Sequence, residues 1–181
     1  MGKYNVEPLR THGEIEAMKQ ALYDLGGERD RFLFTLGINT GLRISDIVPL
    51  KVGQIRSRPY TDIVEKKTGK TRRVHLLAIQ PDIIMYCQNM ADGQYLFPSR
   101  NGSHIGTIQA YRILVRAGKS LGRDDIGSHS LRKSFGFHYY QRTKDIATLM
   151  EIFSHSSPTI TKRYIGIRDT EIAESLRDFR L

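Results

Sequence analysis

Five side chains of the kinds that bind and transfer phosphate groups occur in an ordered series along this sequence. Arg43 stands at a glycine-containing turn that leads into a helix. His129 and Arg132 are three residues apart, which places them on one face of a helix. His155 lies near the end of the next predicted helix, and Tyr164 follows it nine residues later. We therefore ask which reaction needs arginine, histidine and tyrosine together.

Cleavage of a phosphodiester bond without a metal ion needs this combination. The transition state carries extra negative charge on the nonbridging oxygens, so fixed cationic donors must surround it. Arginine suits this task because its planar side chain matches two phosphate oxygens at once. A nucleophile must lie in line with the departing oxygen, and that oxygen needs a proton. The residue types predict phosphoryl transfer with a hydroxyl nucleophile.

Helices must position most of these side chains. Thr11 and Glu14 predict a capping box at the start of the first helix, and Gly26-Gly27 predicts its end. Apolar residues at helical spacing predict further helices at about 29–39, from 45, and at 81–90, 105–121, 130–142, 144–153 and 157–164.

One stretch has the pattern of strands. Residues 61–65 and 72–77 predict two short strands, joined by a turn at Lys67-Thr68-Gly69-Lys70. Lys67 on this turn is placed to reach into a minor groove. The predicted fold class is mostly α with a small antiparallel β-sheet (α+β).

Composition bounds the class of protein. The 181 residues, 39% of them hydrophobic, suffice for one well-buried core, so we expect a single domain over 1–181. Lys and Arg number 28 against 19 acidic residues, a net charge of +9. Such a surplus favours a phosphate-bearing partner such as DNA, although a basic soluble protein or a membrane-surface binder would share it.

The cysteine count and the length of the apolar runs bear on the compartment. Cys87 is the single cysteine, which excludes an intrachain disulfide and fits a reducing compartment. No run approaches the length of a membrane span, and the first residues have no apolar signal core. We expect a cytoplasmic protein without a membrane partner. The two histidines of the series lack a metal-ligand spacing, so we expect no metal site.

The ordered motifs resemble those of the tyrosine recombinase (phage integrase) family over nearly the whole chain. The family pattern is a Gly-Leu-Arg box, a lysine on a β-hairpin, a His-x-x-Arg box, a second histidine, and a tyrosine nine positions further on. All occur here in that order, at Arg43, Lys67, His129 with Arg132, His155, and Tyr164.

The resemblance implies a role for each of these residues. Arg43 and Arg132 would bind the scissile phosphate, and His129 and His155 would donate hydrogen bonds to it and assist proton transfer. Lys67 would protonate the departing 5′-hydroxyl; Lys66 and Lys70 are neighbouring rivals. Tyr164 would attack and form a 3′-phosphotyrosine link, so neither ATP, metal nor another cofactor is required. Asp46, where relatives often have Glu, would support Arg43 and its neighbours.

Two positions depart from the family pattern. Phe153-Ser154 precedes the second histidine, where the family commonly has Leu-Gly, and Lys133 follows Arg132, where a histidine is frequent. Neither change removes a reacting group, so we expect activity to be retained.

The resemblance also bears on domains and assembly. Relatives usually carry a second, N-terminal helical domain, for which this chain has no room. We expect that it has been truncated, with residues 1–10 as a linker remnant, although small single-domain invertases are the alternative. Ile172, Leu176 and Phe179 recur at helical spacing within 168–181, which predicts a C-terminal tail helix. The tail packs either on its own domain or, as the resemblance implies, on a neighbouring subunit in a tetramer on double-stranded DNA.

Alternatives exist for single residues and for the whole chain. Taken alone, Arg43 is a typical surface charge, His129 a typical helix cap, and Tyr164 one of nine tyrosines. Tyr139 and Tyr140 are rival nucleophiles, but their surroundings indicate core and rim. A type IB topoisomerase would use similar chemistry, and a DNA-binding regulatory module would use none. The joint arrangement favours a site-specific recombinase or integrase from a phage or mobile element.

Overall fold

The computed structural model describes residues 6–167, 173–174 and 176–180. Within these residues the chain forms eight α-helices and one two-stranded antiparallel sheet. The helices are α1 His12–Gly26, α2 Glu28–Thr40, α3 Ile44–Ile47, α4 Gln80–Cys87, α5 Thr107–Ser120, α6 Ser128–Thr143, α7 Ile146–Phe153 and α8 Pro158–Ile165; the strands are β1 Tyr60–Val64 and β2 Thr71–His75. The predicted fold class is confirmed, and the predicted element boundaries agree to within a few residues.

The capping box at the start of α1 is present. The backbone N–H of Glu14 donates to Thr11 Oγ1 at 3.1 Å, and the backbone N–H of Thr11 donates to Glu14 Oε2 at 2.9 Å. Met18 and Leu22 then bury one face of the helix. α2 follows directly and is buried around much of its circumference, because α1 and α6 pack against it. This central helix ends at the turn that carries Arg43.

The hairpin has the alternation of a half-buried sheet. Tyr60 pairs with His75 and Val64 with Thr71, which leaves a turn between the strands at residues 65–70. Ile63 and Val74 point into the main core, while Val64 is exposed on the opposite side. The sheet is therefore anchored to the core by one apolar face.

A separate apolar cluster holds α6, α7 and α8 together. Phe153 and Ile165 are fully buried in it, and both lie against Gly136 of α6. A Cβ atom at Gly136 would lie 2.6 Å from Ile165 Cγ2, so only glycine allows α8 this close to α6. The helix that carries Tyr164 is thereby fixed against the helix that carries His129 and Arg132.

Residues 6–10, expected as part of a linker remnant, pack on this helical cluster. Leu9 is buried, and its backbone N–H donates to Ser134 Oγ at 2.8 Å. Arg10 Nη1 donates to the carbonyl of Gly166, at the end of α8, at 3.0 Å. The segment therefore contributes to the body of the domain.

Half of the predicted tail, residues 168–172, 175 and 181, lies outside the described residues, and Ile172 is among these. Leu176 and Phe179, the other two members of its apolar stripe, are 56% and 65% exposed. In the described part of the chain, no helix combines the length and apolar character needed to cross a membrane.

Candidate active site

The turn after α2 places Arg43. Gly41 ends the helix with φ 61°, in the left-handed region, and a Cβ atom there would lie 2.6 Å from Phe135 Cδ1. Only glycine meets both demands without strain. Arg43 follows in extended conformation as the N-cap of α3, with its side chain mostly buried. The Gly-Leu-Arg motif thus ends α2 at its C-cap, Gly41, and begins α3 at its N-cap, Arg43.

Arg132 is the most enclosed cation of the group, with 3% of its surface exposed. Its Nη1 donates to the carbonyl of Gly41 at 2.6 Å, and its Nη2 to the carbonyl of Phe153 at 3.0 Å. The guanidinium also lies 4.2 Å from the centroid of the Phe153 ring. Burial, followed by the charge of Arg43, lowers the pKa of Arg132 to about 10, so it stays protonated at neutral pH. It joins the end of α2 to the end of α7.

Tyr164 and His129 are in direct contact. Nδ1 of His129 lies 3.1 Å from the hydroxyl oxygen of Tyr164. The edge of one ring faces the other, and Lys133 Nζ lies 5.7 Å from the centroid of the tyrosine ring. The helical spacing of His129 and Arg132 thus brings an imidazole to the tyrosine and a guanidinium close enough for its charge to act on the phenol.

His155 also packs against the ring of Tyr164. Its ring centroid is 5.3 Å from that of Tyr164, and Phe153 packs against both rings. Nδ1 of His155 lies 3.1 Å from Oγ1 of the fully buried Thr161. The ring is therefore oriented by α8, the same helix that carries Tyr164.

The electrostatics of the site keep both histidines neutral and the phenol protonated. Desolvation, with Arg132 as the next cause, lowers the pKa values of His129 and His155 below 6.5. Desolvation raises the pKa of Tyr164 above 10, although Arg132 and Arg43 act in the opposite direction. A neutral imidazole beside a protonated phenol is the pairing that permits proton transfer from tyrosine to histidine.

Lys67 lies at the exposed turn of the hairpin. Its charge contributes to the lowered pKa values of His129 and His155, whereas Lys66 and Lys70 do not contribute. Its amine has no hydrogen-bond or ion-pair partner within the described ranges. Of the three neighbouring lysines, Lys67 has the electrostatic connection to the site.

Asp46 lies in α3, and its backbone N–H donates to the carbonyl of Arg43 at 2.8 Å. It is buried, and its Oδ1 accepts a hydrogen bond of 2.9 Å from the backbone N–H of Lys66. The carboxylate that pairs with Arg43 belongs to Glu65, whose Oε2 lies 2.8 Å from Arg43 Nη1. The Asp46 carboxylate therefore holds the hairpin turn, and the side chain of Arg43 pairs with Glu65.

Sequence reasoning missed Glu65 and Arg72. Glu65 has 1% of its side chain exposed, and Arg72 Nη2 donates to the carbonyl of Thr40 at 2.7 Å, next to the Gly41 turn. Burial is the main cause that lowers the pKa of Arg72, and the charge of Glu65 opposes it. The available signal was the position of both residues at the inner ends of the strands, where a charged side chain at the core needs a partner.

The Phe153-Ser154 departure from the family pattern has a structural consequence. Ser154 ends α7 with φ 52°, a left-handed conformation that glycine adopts without steric cost. We expect Ser154→Gly to raise the free energy of unfolding by about 0.5–1 kcal/mol, measured by denaturant titration. Ser156→Gly is the control, because Ser156 does not have a positive φ. A Ser154→Gly protein no more stable than the wild type would contradict the strain argument.

The described residues contain no group of three or more His, Cys, Asp or Glu side chains placed to hold a metal ion. The site consists instead of cations, two neutral imidazoles and a phenol.

This architecture is that of tyrosine recombinase catalytic domains. The crystal structure of XerA recombinase superposes with a TM-score of 0.75 at 19% identity, covering 100% of this chain and 67% of that one. XerH site-specific recombinase, bound to a palindromic difH substrate, gives a TM-score of 0.72 at 21% identity, covering 94% and 52% of the two chains. At these identities the likeness establishes the fold.

The chain belongs to the phage integrase family, whose sequence pattern it matches over residues 10–171. The resemblance inferred from the motifs is confirmed. A probable integrase/recombinase of Bacillus subtilis (strain 168), YoeC, is 48% identical over 164 residues, covering 90% of each chain. Tyrosine recombinase XerD of Corynebacterium glutamicum is 30% identical over 158 residues, which span 83% of this chain and 51% of that protein. The chain thus spans about half the length of its Xer relatives.

Proposed function

We propose that this protein is a site-specific recombinase that cleaves and rejoins DNA through a 3′-phosphotyrosine intermediate. The observation that carries the proposal is the 3.1 Å contact between His129 Nδ1 and the Tyr164 hydroxyl, beside Arg132. A nucleophile, a base and a phosphate-binding cation thus occupy one site. Membership in the phage integrase family supports the same reaction.

Double-stranded DNA is the proposed substrate. The net charge of +9 favours a polyanion, because each neutralised phosphate releases condensed counterions. Structural neighbours include XerH bound to difH and a lambda integrase dimer bound to a core site. The exposed hairpin turn with Lys67 is the element that we assign to the groove beside the scissile phosphate.

In the proposed cleavage step, the Tyr164 oxygen attacks phosphorus while its proton passes to neutral His129. Arg43 and Arg132 stabilise the charge that develops on the nonbridging oxygens, and His155 donates a further hydrogen bond. The bond from phosphorus to the 5′-oxygen breaks, and Lys67 protonates that oxygen. Attack by a 5′-hydroxyl on the phosphotyrosine reverses each transfer, so the bond is restored without ATP, metal or another co-reactant.

A covalent capture assay tests the proposal. The wild-type chain is incubated in EDTA with a pool of nicked duplexes whose central bases are randomised, and adducts that survive SDS are recovered and sequenced. The proposal requires an adduct at the 3′ side of a preferred sequence. A strict magnesium requirement, or binding without any adduct, would exclude this mechanism. Relaxation of supercoiled plasmid without strand exchange would favour a topoisomerase.

The rate of adduct formation should depend on the protonation of His129. Only the neutral imidazole accepts the tyrosine proton, and its pKa lies below 6.5. We therefore expect the cleavage rate to rise with pH, with a midpoint below 6.5, and to be level at neutral pH. Cleavage rates measured over pH 5–8 test this rise, and the His129→Asn variant should not show it. If the rise of the rate with pH persists in His129→Asn, the titrating group is His155, whose pKa is also lowered.

We propose that the tail, residues 168–181, docks on a second copy of the chain to form a tetramer on DNA. Two exposed apolar side chains, Leu176 and Phe179, support a partner for this segment. A relative, lambda integrase, is described as a tetramer bound to a Holliday junction. Deletion of residues 170–181 should abolish cooperative assembly on paired sites in native gels and leave the domain folded. Cooperative assembly of the truncated chain, or its unfolding, would contradict the proposal.

A further inference from the structure

Glu65 holds a buried carboxylate between two parts of the proposed machinery. It directly follows β1, and only 1% of its side chain is exposed. Its Oε2 lies 2.8 Å from Arg43 Nη1 and also accepts a 2.8 Å hydrogen bond from Thr68 Oγ1. Its backbone carbonyl accepts from the N–H of Gly69 at 2.8 Å. One oxygen atom thus contacts both the Arg43 side chain and the turn that carries Lys67.

The carboxylate is kept charged in a place where burial opposes its charge. Desolvation alone would raise the pKa of Glu65, but the bonds from Arg43 and Thr68 outweigh it and hold the pKa below 4.5. The other oxygen, Oε1, is buried and has no hydrogen-bond partner within the described residues. A half-satisfied buried charge is a poor stabilising element, since apolar replacements are often as stable. This favours a role other than stability.

We infer that Glu65 is a positioning residue that fixes the general acid Lys67 relative to the phosphate-binding Arg43. The inference rests on the proposed function and deepens it, because the two residues act on opposite sides of the bond that breaks. Arg43 acts on the nonbridging oxygens, while Lys67 protonates the departing 5′-oxygen. A link through a single Oε2 atom makes the distance between them a property of the folded chain.

Among the described residues, Glu65 is the carboxylate that joins the Arg43 side chain to the hairpin turn. The Asp46 carboxylate accepts from the backbone N–H of Lys66, but among the described residues it has no bond to the Arg43 side chain, and only the Asp46 backbone N–H contacts Arg43, at its carbonyl. The contact of Glu65 with Arg43 is made at Nη1. Loss of the carboxylate charge should therefore loosen both groups at once, whereas loss of the Thr68 hydroxyl should loosen only the lysine turn.

The experiment compares Glu65→Gln and Thr68→Val with the wild type on the duplex recovered by covalent capture. Each full-length protein is measured at saturating concentration on the natural duplex and on one with sulfur in place of the 5′-bridging oxygen. A thiolate leaves without a proton, so the sulfur duplex removes the need for Lys67. Glu151→Gln is the charge-matched control, because Glu151 is an exposed acid of α7. Arg43→Lys and Lys67→Ala are the two reference variants, one for the phosphate-binding group and one for the general acid.

We expect Glu65→Gln to cleave the natural duplex about a hundredfold more slowly, because misplacement of a reacting group by about 1 Å can cost that much in rate. Its affinity for DNA should be unchanged. On the sulfur duplex, Glu65→Gln should cleave about tenfold faster than on the natural duplex, because the part of the loss that operates through Lys67 is removed. Thr68→Val should lose about tenfold and recover all of it. Arg43→Lys should recover nothing, and Glu151→Gln should behave as the wild type.

Each other outcome has a definite meaning. Wild-type rates in Glu65→Gln would overturn the inference, and so would a loss that sulfur does not relieve, since Glu65 would then act on Arg43 alone. If Glu65→Gln fails to fold, Thr68→Val decides: a loss recovered by sulfur supports the link, and normal cleavage overturns it. If the wild type forms no adduct with any duplex, the proposed function fails first and the inference fails with it.

Discussion

Replacement of Tyr164 by phenylalanine should abolish covalent adduct formation and leave DNA binding unchanged. The substitution removes only the hydroxyl group that attacks phosphorus, together with its contact to His129. The ring remains in its edge contacts with Phe153 and His155, so the fold should lose at most about 1 kcal/mol, the typical net worth of one hydrogen bond. Adduct yield in SDS gels and affinity in gel-shift titrations are measured on the same duplex.

Tyr139→Phe is the matched control for this experiment. Tyr139 lies on α6 and stacks on Phe135, with ring centroids 6.0 Å apart. The neighbouring Tyr140 is buried, and Lys144 Nζ lies 5.5 Å from its ring centroid. The tyrosine hydroxyl that lies at His129 is that of Tyr164, so both phenylalanine variants should form adducts as the wild type does. An adduct that persists in Tyr164→Phe and maps to either tyrosine would overturn the assignment.

The elements of the fold were predictable because their signals are local. The capping box of Thr11 and Glu14 and the turn near Lys67 are each encoded within a few residues. The residues of the candidate site were identified in the same way, because each motif fixes its own side chain relative to one helix end or turn. Gly41 illustrates this. It ends α2, its lack of a side chain leaves space for the ring of Phe135, and its carbonyl accepts a hydrogen bond from Arg132.

What the sequence did not disclose is which charges meet across the fold. Glu65 and Arg43 are distant in sequence, so no motif disclosed that the Arg43 side chain pairs with Glu65, while the nearer carboxylate of Asp46 bonds to the hairpin. The positive φ of Ser154 was equally hidden, because serine carries no signal for a left-handed helix end. Such features depend on how α7 and the hairpin approach the helices, and packing decides that.

Replacement of either arginine by lysine should slow cleavage by about a hundredfold to a thousandfold, with little loss of DNA affinity. Lysine keeps the charge but offers no planar fork for two phosphate oxygens, and such donors act mainly on the transition state. Single-turnover cleavage of the captured duplex measures the rate. A loss of affinity equal to the loss of rate would assign Arg43 and Arg132 to substrate binding alone.

The same pair of variants should differ in stability, and this separates catalysis from folding. Arg132 is almost fully buried and joins the carbonyls of Gly41 and Phe153, two groups that one ammonium cannot bridge in the same geometry. Since a hydrogen bond to a charged group contributes about 1.5–3 kcal/mol, Arg132→Lys should lower the free energy of unfolding by about that amount or more. Arg43→Lys keeps a cation beside the buried Glu65, so no uncompensated charge is left, and this variant should lose less stability than Arg132→Lys. Denaturant titrations of both proteins provide the comparison. If Arg43→Lys proved the less stable variant, Arg43 rather than Arg132 would be the structural arginine, and the division of roles between them would be reversed.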